Sequence, residues 1–434
     1  MLVSQLKNKK IAIVGMGLTG QSCARFLVRH DIDAVGFDSR SLNEADFDIR
    51  CQFGAFQENQ FIDFDVILLS PGISLLTPAI RRAIECGVEI SSDIALFAAN
   101  FSGAIIGVTG SNGKSTVVSM LEAVFLEAQV PVALGGNIGI PALDILDQDI
   151  AIAVLELSSF QLETVSNLPL KAAAVLNVCE DHMDRYPDFQ SYCAAKQSIF
   201  DNAEFKLANI DDKNTWPVNA KADAYIRRDN QANGFGLQFS PAAITFDGEP
   251  FIFANELKIT GIHNLLNAQA TCIIASQFDV PQSEIRNALC GFEGLAHRCQ
   301  LIAYKQGISW VNDSKATNVG ATIAAIEGLR PLVDGELCLI AGGDAKQADL
   351  SVLANRIERD VNRLITLGKD GHILAAMKDN SVAVQTLQEA VKVAANEGKG
   401  GDMVLLSPAC ASLDMFDNYQ HRGQVFVDAV EELL

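Results

Sequence analysis

None of the ten cysteines is spaced C-x-x-C from another, so the usual pairings of a zinc ribbon or a dithiol redox centre are missing. Most lie in apolar runs, as Cys23, Cys272 and Cys338 do, where a thiol behaves as a small hydrophobe. The expectation is a reducing compartment, the cytoplasm, with no structural zinc. No apolar run approaches the roughly 20 residues that span a bilayer, so no membrane insertion is expected. Lys7, Lys9 and Lys10 precede IAIVGMGLTG, but that stretch is short, broken by glycine and without a cleavage site, unlike a secretory leader. Basic residues are in deficit, 33 Lys and Arg against 53 Asp and Glu, for a formal charge of -20. That field opposes nucleic acid and anionic lipid, so a phosphate-bearing ligand needs local clusters of donors.

What is present is a long alternation of apolar runs and helical patterns. At 434 residues and 49% hydrophobic content the chain exceeds one core. Three α/β domains with largely parallel sheets are expected, over 1–92, 93–297 and 298–434. The first predicts strands at 10–14, 34–37 and 65–69 around a helix at 18–28. The second opens with a strand at 104–108 and a helix at 114–128. It continues with strands at 150–155 and 172–176, short strands and turns over 221–260, and helices at 263–277 and 283–289. The third predicts strands at 307–311, 337–341, 364–367 and 403–406.

Between the strand at 104–108 and the helix after it stands TGSNGKST. Its glycines let successive N–H groups point inward at a phosphate, Lys114 reaches the β/γ-phosphates, and Ser115 or Thr116 offers a hydroxyl to Mg²⁺. Val108 stands where the strict G-x-x-x-x-G-K-[ST] pattern has glycine, with Gly110 two places along. A second glycine motif, GMGLTG at 15–20, follows the first strand, with Asp38 at the end of the next. Alone it suggests NAD; a nucleotide or nucleotide sugar is the broader inference. Glu156 ends an apolar strand, where a P-loop protein positions Mg²⁺ or its water. His182 lies among acids in NVCEDHMDRY. Lys196, in a helical pattern, reads by default as a solvated surface lysine. Asn264 and Asn267 share one helical face, suited to an adenine edge or to a cap. Arg298 sits in a basic turn, NDSKATN collects polar side chains at a strand end, and GGDAKQADL and SPACASLD suggest an anion-binding edge.

Taken in order, TGSNGKST, ELSSFQLE, NVCEDHMDRY, HNLLNA, HRCQ, NDSKATN, GGDAKQADL and LLSPACASLDMF resemble the Mur ligase family over nearly the whole chain. The lysine-bearing GGDAKQADL and the SPACASLD segment suit the branch that adds D-glutamate to UDP-N-acetylmuramoyl-L-alanine, and the DNPR segment of the diaminopimelate-adding relative is absent. The resemblance implies a Rossmann-like first domain for the UDP sugar, a P-loop ATPase-type central domain and a dinucleotide-fold-like third domain for the amino acid. It implies an ATP- and Mg²⁺-dependent monomer that works through an acyl phosphate in peptidoglycan precursor synthesis.

By the same resemblance, Lys114, Glu156, His182 and Lys196 are catalytic, with Lys196 as a carbamate. Ser115, Glu156, His182 and Lys196 serve the metal. Gly110, Ser111, Asn112, Gly113, Lys114, Ser115, Thr116, Asn264, Asn267, Arg298, Asp313 and Lys315 fall on ATP positions. Leu18, Thr19, Asp38, Ser39, Arg40, Ser70, Pro71, Gly72, Gly136, Asn137, Ser158 and Gln161 fall on the UDP substrate. Thr317, Lys346, Ser412, Leu413 and Tyr419 fall on D-glutamate, Tyr419 where relatives can carry Phe. Among rivals, a folate-polyglutamate ligase lacks such a first domain, an NAD oxidoreductase leaves the phosphate loop unexplained, and a guanine-nucleotide switch would carry N-K-x-D.

Overall fold

Four consecutive buried residues, Ile11–Val14, form the middle strand of the first sheet. The computed structural model describes residues 1–43, 47–165 and 167–433. The first sheet is parallel, in the order Cys51–Phe53, Ala34–Asp38, Ile11–Val14, Val66–Leu69, Glu89–Ser91. The chain order reverses beside Ile11–Val14, and a crevice at the carboxyl ends of strands is where such sheets bind ligands. The glycine turn lies there. Gly15 has φ 95°, and a Cβ on Gly20 would come within 2.1 Å of the Gly15 carbonyl oxygen. Only hydrogen at position 20 lets the helix Leu18–Arg29 start so close to the strand.

The central sheet has six parallel strands, in the order Ala224–Ile226, Ala203–Asn209, Leu170–Val175, Ala104–Thr109, Ile152–Glu156, Val132–Gly136. The helix Lys114–Glu127 covers one face and packs against Ile262–Ala275 and Gln282–Gly291. The short strands and turns expected over 221–260 include a three-stranded antiparallel sheet, Phe235–Phe239, Ala242–Phe246 and Glu249–Phe253. A turn at Asp247 and Gly248 joins its last two strands.

The third sheet runs Gln300–Lys305, Ile308–Asn312, Met403–Leu406, Leu337–Gly342, Arg363–Leu367, Val382–Ala383. Its edge strand Gln300–Lys305 pairs antiparallel, and the sequence did not predict it, because an apolar run as short as Leu301, Ile302, Ala303 and Tyr304 does not by itself distinguish a strand. Strands Val132–Gly136 and Ala203–Asn209 were likewise not predicted: the apolar run of the first is cut short by two glycines, and Glu204 and Lys206 interrupt the second.

Side chains tie the three α/β units together where their carboxyl-terminal strand ends meet. Arg185 bridges the first two: its Nη1 donates to Pro71 O at 2.7 Å, its Nη2 to Glu163 at 2.8 Å, and its guanidinium lies 3.9 Å over the Phe160 ring. Arg298 Nη2 donates to Ser115 Oγ at 2.6 Å, joining the third unit to the second. Gly20→Ala is expected to lower the stability of the first domain by about 1–3 kcal/mol, since the turn must open to admit a methyl. Thermal unfolding indistinguishable from the parent would contradict this.

Candidate active site

The phosphate loop owes its shape to two glycines. Gly110 (φ 148°) and Gly113 (φ 85°) take backbone angles that L side chains rarely adopt. A Cβ on Gly113 would also sit 2.5 Å from Asn267 Oδ1. The loop runs from the strand Ala104–Thr109 into the helix Lys114–Glu127, which has no side-chain cap, so its first N–H groups face the loop's concavity. Lys114 Nζ folds back over the loop, donating to Gly110 O at 2.8 Å and Ser111 O at 2.9 Å.

Glu156 stands level with the loop because Ile152–Glu156 pairs in register with the phosphate strand, Glu156 opposite Val108. It is 2% exposed. Its Oε2 accepts from Ser115 Oγ at 2.5 Å and its Oε1 from Asn137 Nδ2 at 2.6 Å. Burial alone would raise its pKa, but Lys114, these two hydrogen bonds and Arg298 outweigh it and hold the carboxyl below its ordinary value. A charged carboxylate therefore lies beside the hydroxyl of Ser115, a set of hard oxygens.

Lys196 is not a solvated surface lysine. The helix Phe189–Gln197 turns Tyr192, Cys193 and Lys196 inward, leaving Lys196 2% exposed. Its Nζ donates to Gly110 O at 2.9 Å, the carbonyl Lys114 also uses, and lies 4.6 Å from the Tyr192 ring centroid. Burial, and then the neighbouring charge of Lys114, push its pKa well below the usual lysine value. His182 packs edge-on against Phe160 at 4.7 Å, with Asp181 and Lys346 beside it. Burial chiefly lowers it to about 4, so at neutral pH it is an uncharged imidazole.

Two cavities meet at the loop. The first, about 350 Å³, is lined by Lys114, Ser115, Asn137, Glu156, Ser158, His182 and Lys196 from the centre. From the third domain come Arg298, Lys315, Thr317, Lys346, Ser412, Leu413 and Tyr419. The second, about 360 Å³, adds Thr116, Asn264, Asn267 and Asp313. Asn112, Gly113, Arg298 and Lys315 line both. Lys315 Nζ lies 4.1 Å from the Tyr419 ring centroid, and burial first, then Arg298 and Lys114, lower it to about 8. Asp313 takes hydrogen bonds from Ser407 Oγ at 2.7 Å and Cys299 N at 3.1 Å, while burial raises it to about 6.

Leu18, Thr19, Asp38, Ser39, Arg40, Ser70, Pro71 and Gly72 line neither cavity; they gather at the strand ends of the first sheet. Asp38 takes the Met16 N–H at 2.8 Å and two side-chain bonds from Arg40, whose guanidinium brings its pKa down to about 2. Arg40, much more exposed, is the group left facing outward. Gly136 and Gln161 also lie outside the two linings. A Cβ on Gly136 would meet Glu156 O at 2.4 Å, and Gln161 Oε1 is spent on the Ser158 N–H and hydroxyl, both at 3.0 Å.

Family models match along the whole order of domains. The Mur ligase MurD-like N-terminal domain matches 9–92, the Mur ligase middle domain 108–275, and the Mur ligase glutamate ligase domain 297–410. The chain belongs to the Mur ligase family. It is 42% identical over 439 residues to UDP-N-acetylmuramoylalanine--D-glutamate ligase of Salmonella typhi, covering 99% of this chain and all of that one. The Idiomarina loihiensis protein of the same name is 42% identical over 454 residues, covering 98% and 97%. Among solved structures, the UDP-N-acetylmuramate-alanine ligase of Thermotoga maritima shares the fold, with TM-score 0.64, 17% identity and coverage of 98% and 99%. The MurF ligase of Thermotoga maritima in complex with ADP gives 0.60, at 15% identity and coverage of 99% and 97%. A folylpolyglutamate synthase/dihydrofolate synthase of Yersinia pestis with AMPPNP and a Mn ion gives 0.58, at 16% identity and coverage of 77% and 92%.

The Mur ligase site also holds residues that the motifs did not single out. Asn177 Oδ1 takes the Asn112 N–H at 2.8 Å, Asp181 meets Lys346 at 3.4 Å, and Asn318 contacts both Asn112 and Asp181. All three lie inside the segments NVCEDHMDRY and NDSKATN beside the chosen residues, the only signal the sequence offers for them. At the second cavity's wall, His263 packs against Gly261 and Gly328, and burial lowers it to about 4. A histidine so depressed adds stability that is complete above its unfolded value of about 6.5 and is lost as pH falls toward 4. The stability difference between wild type and His263→Gln is expected to shrink between pH 7.5 and 4.5, measured by urea unfolding. A constant difference would count against it.

Proposed function

We propose that this Mur ligase joins D-glutamate to UDP-N-acetylmuramoyl-L-alanine, hydrolysing ATP to ADP and phosphate, in cytoplasmic peptidoglycan precursor synthesis. The relatives at 42% identity bear that activity in their names. The observation that carries the proposal is the meeting of Lys114, Glu156, His182 and Lys196 with Thr317, Lys346 and Ser412 around one cavity. A phosphate loop alone supports many reactions; a phosphate loop facing a second set of cation and hydroxyl donors supports joining a phosphorylated carboxyl to a charged amino acid.

In this mechanism the 1–92 domain holds the UDP group through its glycine turn, Ser39, Arg40 and the 70–72 segment, with Asp38 holding Arg40. The 93–297 domain binds ATP, the adenine end toward Asn264 and Asn267 and the phosphates on the 110–116 loop. The substrate carboxylate attacks the γ-phosphate in line, and Lys114 and Arg298 offset the charge that develops as ADP leaves. The 298–434 domain presents D-glutamate, its carboxylates toward Lys346, Thr317 and Ser412. Its amine attacks the acyl phosphate, giving a tetrahedral intermediate that expels phosphate. Water must be kept from the acyl phosphate, which it would otherwise hydrolyse.

The donor chemistry suits Mg²⁺. Ser115 and Glu156 offer hard oxygens, His182 is a neutral imidazole, and among the described residues no group of three or more His, Cys, Asp and Glu forms a complete metal cage. Such a partial set is what a cation completed by substrate phosphates requires. When bound, the ion supplies charge neutralisation at the phosphates. The depressed Lys196 amine suits carbamate formation, because CO₂ adds to a neutral amine; the resulting anion would stand in place of one of the two lysine amines crowded at the Gly110 carbonyl. No helix among the described residues is long and apolar enough to cross a membrane. We take the working enzyme to be a cytoplasmic monomer serving cell-wall growth and division.

Phosphate release with ATP, Mg²⁺ and UDP-N-acetylmuramoyl-L-alanine is expected with D-glutamate and reduced at least about a hundredfold with L-glutamate, L-alanine or diaminopimelate. Equal rates with the two glutamates would sink the assignment. For Lys196, the intact protein in neutral bicarbonate should weigh one CO₂ more than after acidification, and Lys196→Ala should lose about a hundredfold or more in kcat. Full activity after bicarbonate removal, with no added mass, would rule the carbamate out.

A further inference from the structure

Where the third domain meets the phosphate loop, two carboxamides face each other. Asn318 caps the helix Val319–Leu329, its Oδ1 accepting from Ala321 N at 2.9 Å. The same oxygen accepts from Asn112 Nδ2 at 3.2 Å, while Asn318 Nδ2 donates to Asn112 Oδ1 at 3.1 Å and to Asp181 Oδ2 at 3.3 Å. The orientation of both amides is dictated by chemistry. The cap N–H needs an oxygen and the Asp181 carboxylate needs a donor, so Asn318 cannot be turned round, and Asn112 must follow it. Asn112 spends its remaining N–H on Cys179 Sγ at 3.4 Å. Every hydrogen-bonding position of the Asn318 amide is used, at 5% exposure, where water competes weakly.

Asn112 therefore has two functions. Its backbone belongs to the loop that cradles phosphate, and its side chain is directed across the domain boundary, one residue away from Thr317 of the amino-acid pocket. We propose that Asn112 and Asn318 are positioning residues, whose reciprocal amide pair docks the third domain on the phosphate loop and so sets the separation between acyl phosphate and attacking amine. This rests on the ligase function proposed above. Both residues line the first cavity, but the amide groups are spent on each other and on their neighbours. The Lys346–Asp181 pair at 3.4 Å and the Arg298–Ser115 bond at 2.6 Å also cross the boundary, so losing the amide pair loosens docking without abolishing it.

The test uses Asn318→Ser, which keeps an oxygen for the helix cap, Asn112→Ala, and the double variant. Each single change should raise KM for D-glutamate about tenfold, the worth of two partly shielded hydrogen bonds, and Asn318→Ser should change KM for ATP less than about twofold. The double variant should be no worse than either single, because the two residues act as one unit. By small-angle scattering with an ATP analogue bound, each variant should have a larger radius of gyration than wild type. Effects that multiply in the double variant, an unchanged KM for D-glutamate, or unchanged scattering would overturn the proposal. A wild-type enzyme inert toward D-glutamate would overturn the ligase assignment instead, and the scattering comparison, which needs no turnover, would still decide whether the pair docks the domains.

Discussion

Glu156 is a carboxylate almost out of reach of water, and a buried charge is tolerable only when nearby groups replace its lost hydration. Three segments do so: the helix after the phosphate loop through Lys114 and Ser115, the end of Val132–Gly136 through Asn137, and the turn into the third domain through Arg298. Pulling any one away would leave an uncompensated anion. The carboxylate thus ties the loop, two strands and a domain boundary to one point, which is also where the proposed mechanism puts the cation and the phosphates.

The surrounding cations show the converse. A chain with a formal charge of -20 gathers Lys114, Lys196, Arg298, Lys315 and Lys346 around one cleft. Burial and mutual repulsion depress Lys196 and Lys315. That crowding is unfavourable without an anion and favourable with one, so a triphosphate would relieve strain the fold maintains. The global field repels polyanions while the local one attracts them, which suits a small phosphorylated substrate and disfavours nucleic acid.

Much of this was readable in one dimension. Buried strands such as Ala104–Thr109 and Leu337–Gly342 are continuous apolar runs, and the phosphate loop has glycines where its backbone must bend. Glu156 stood out because it ends an apolar strand in a chain that also carries a phosphate loop. Lys196 was not: helical spacing says which face it shares with Tyr192 but not which face is inward, and here that face packs on the loop. The antiparallel edge strand Gln300–Lys305 was missed because its apolar run is short and its partial exposure gives no clear period.

The sequence by itself determined the α/β alternation, the phosphate loop and the family, because these depend on local periodicity, on glycine's backbone freedom and on ordered motifs. Tertiary structure alone decided which polar residues share a cavity. Asn112 and Asn318 are 206 positions apart and are joined only because two sheets present their strand ends to the same cleft. The depressed lysine and the neutral histidine likewise follow from burial, and burial is a property of packing that no stretch of chain carries on its own.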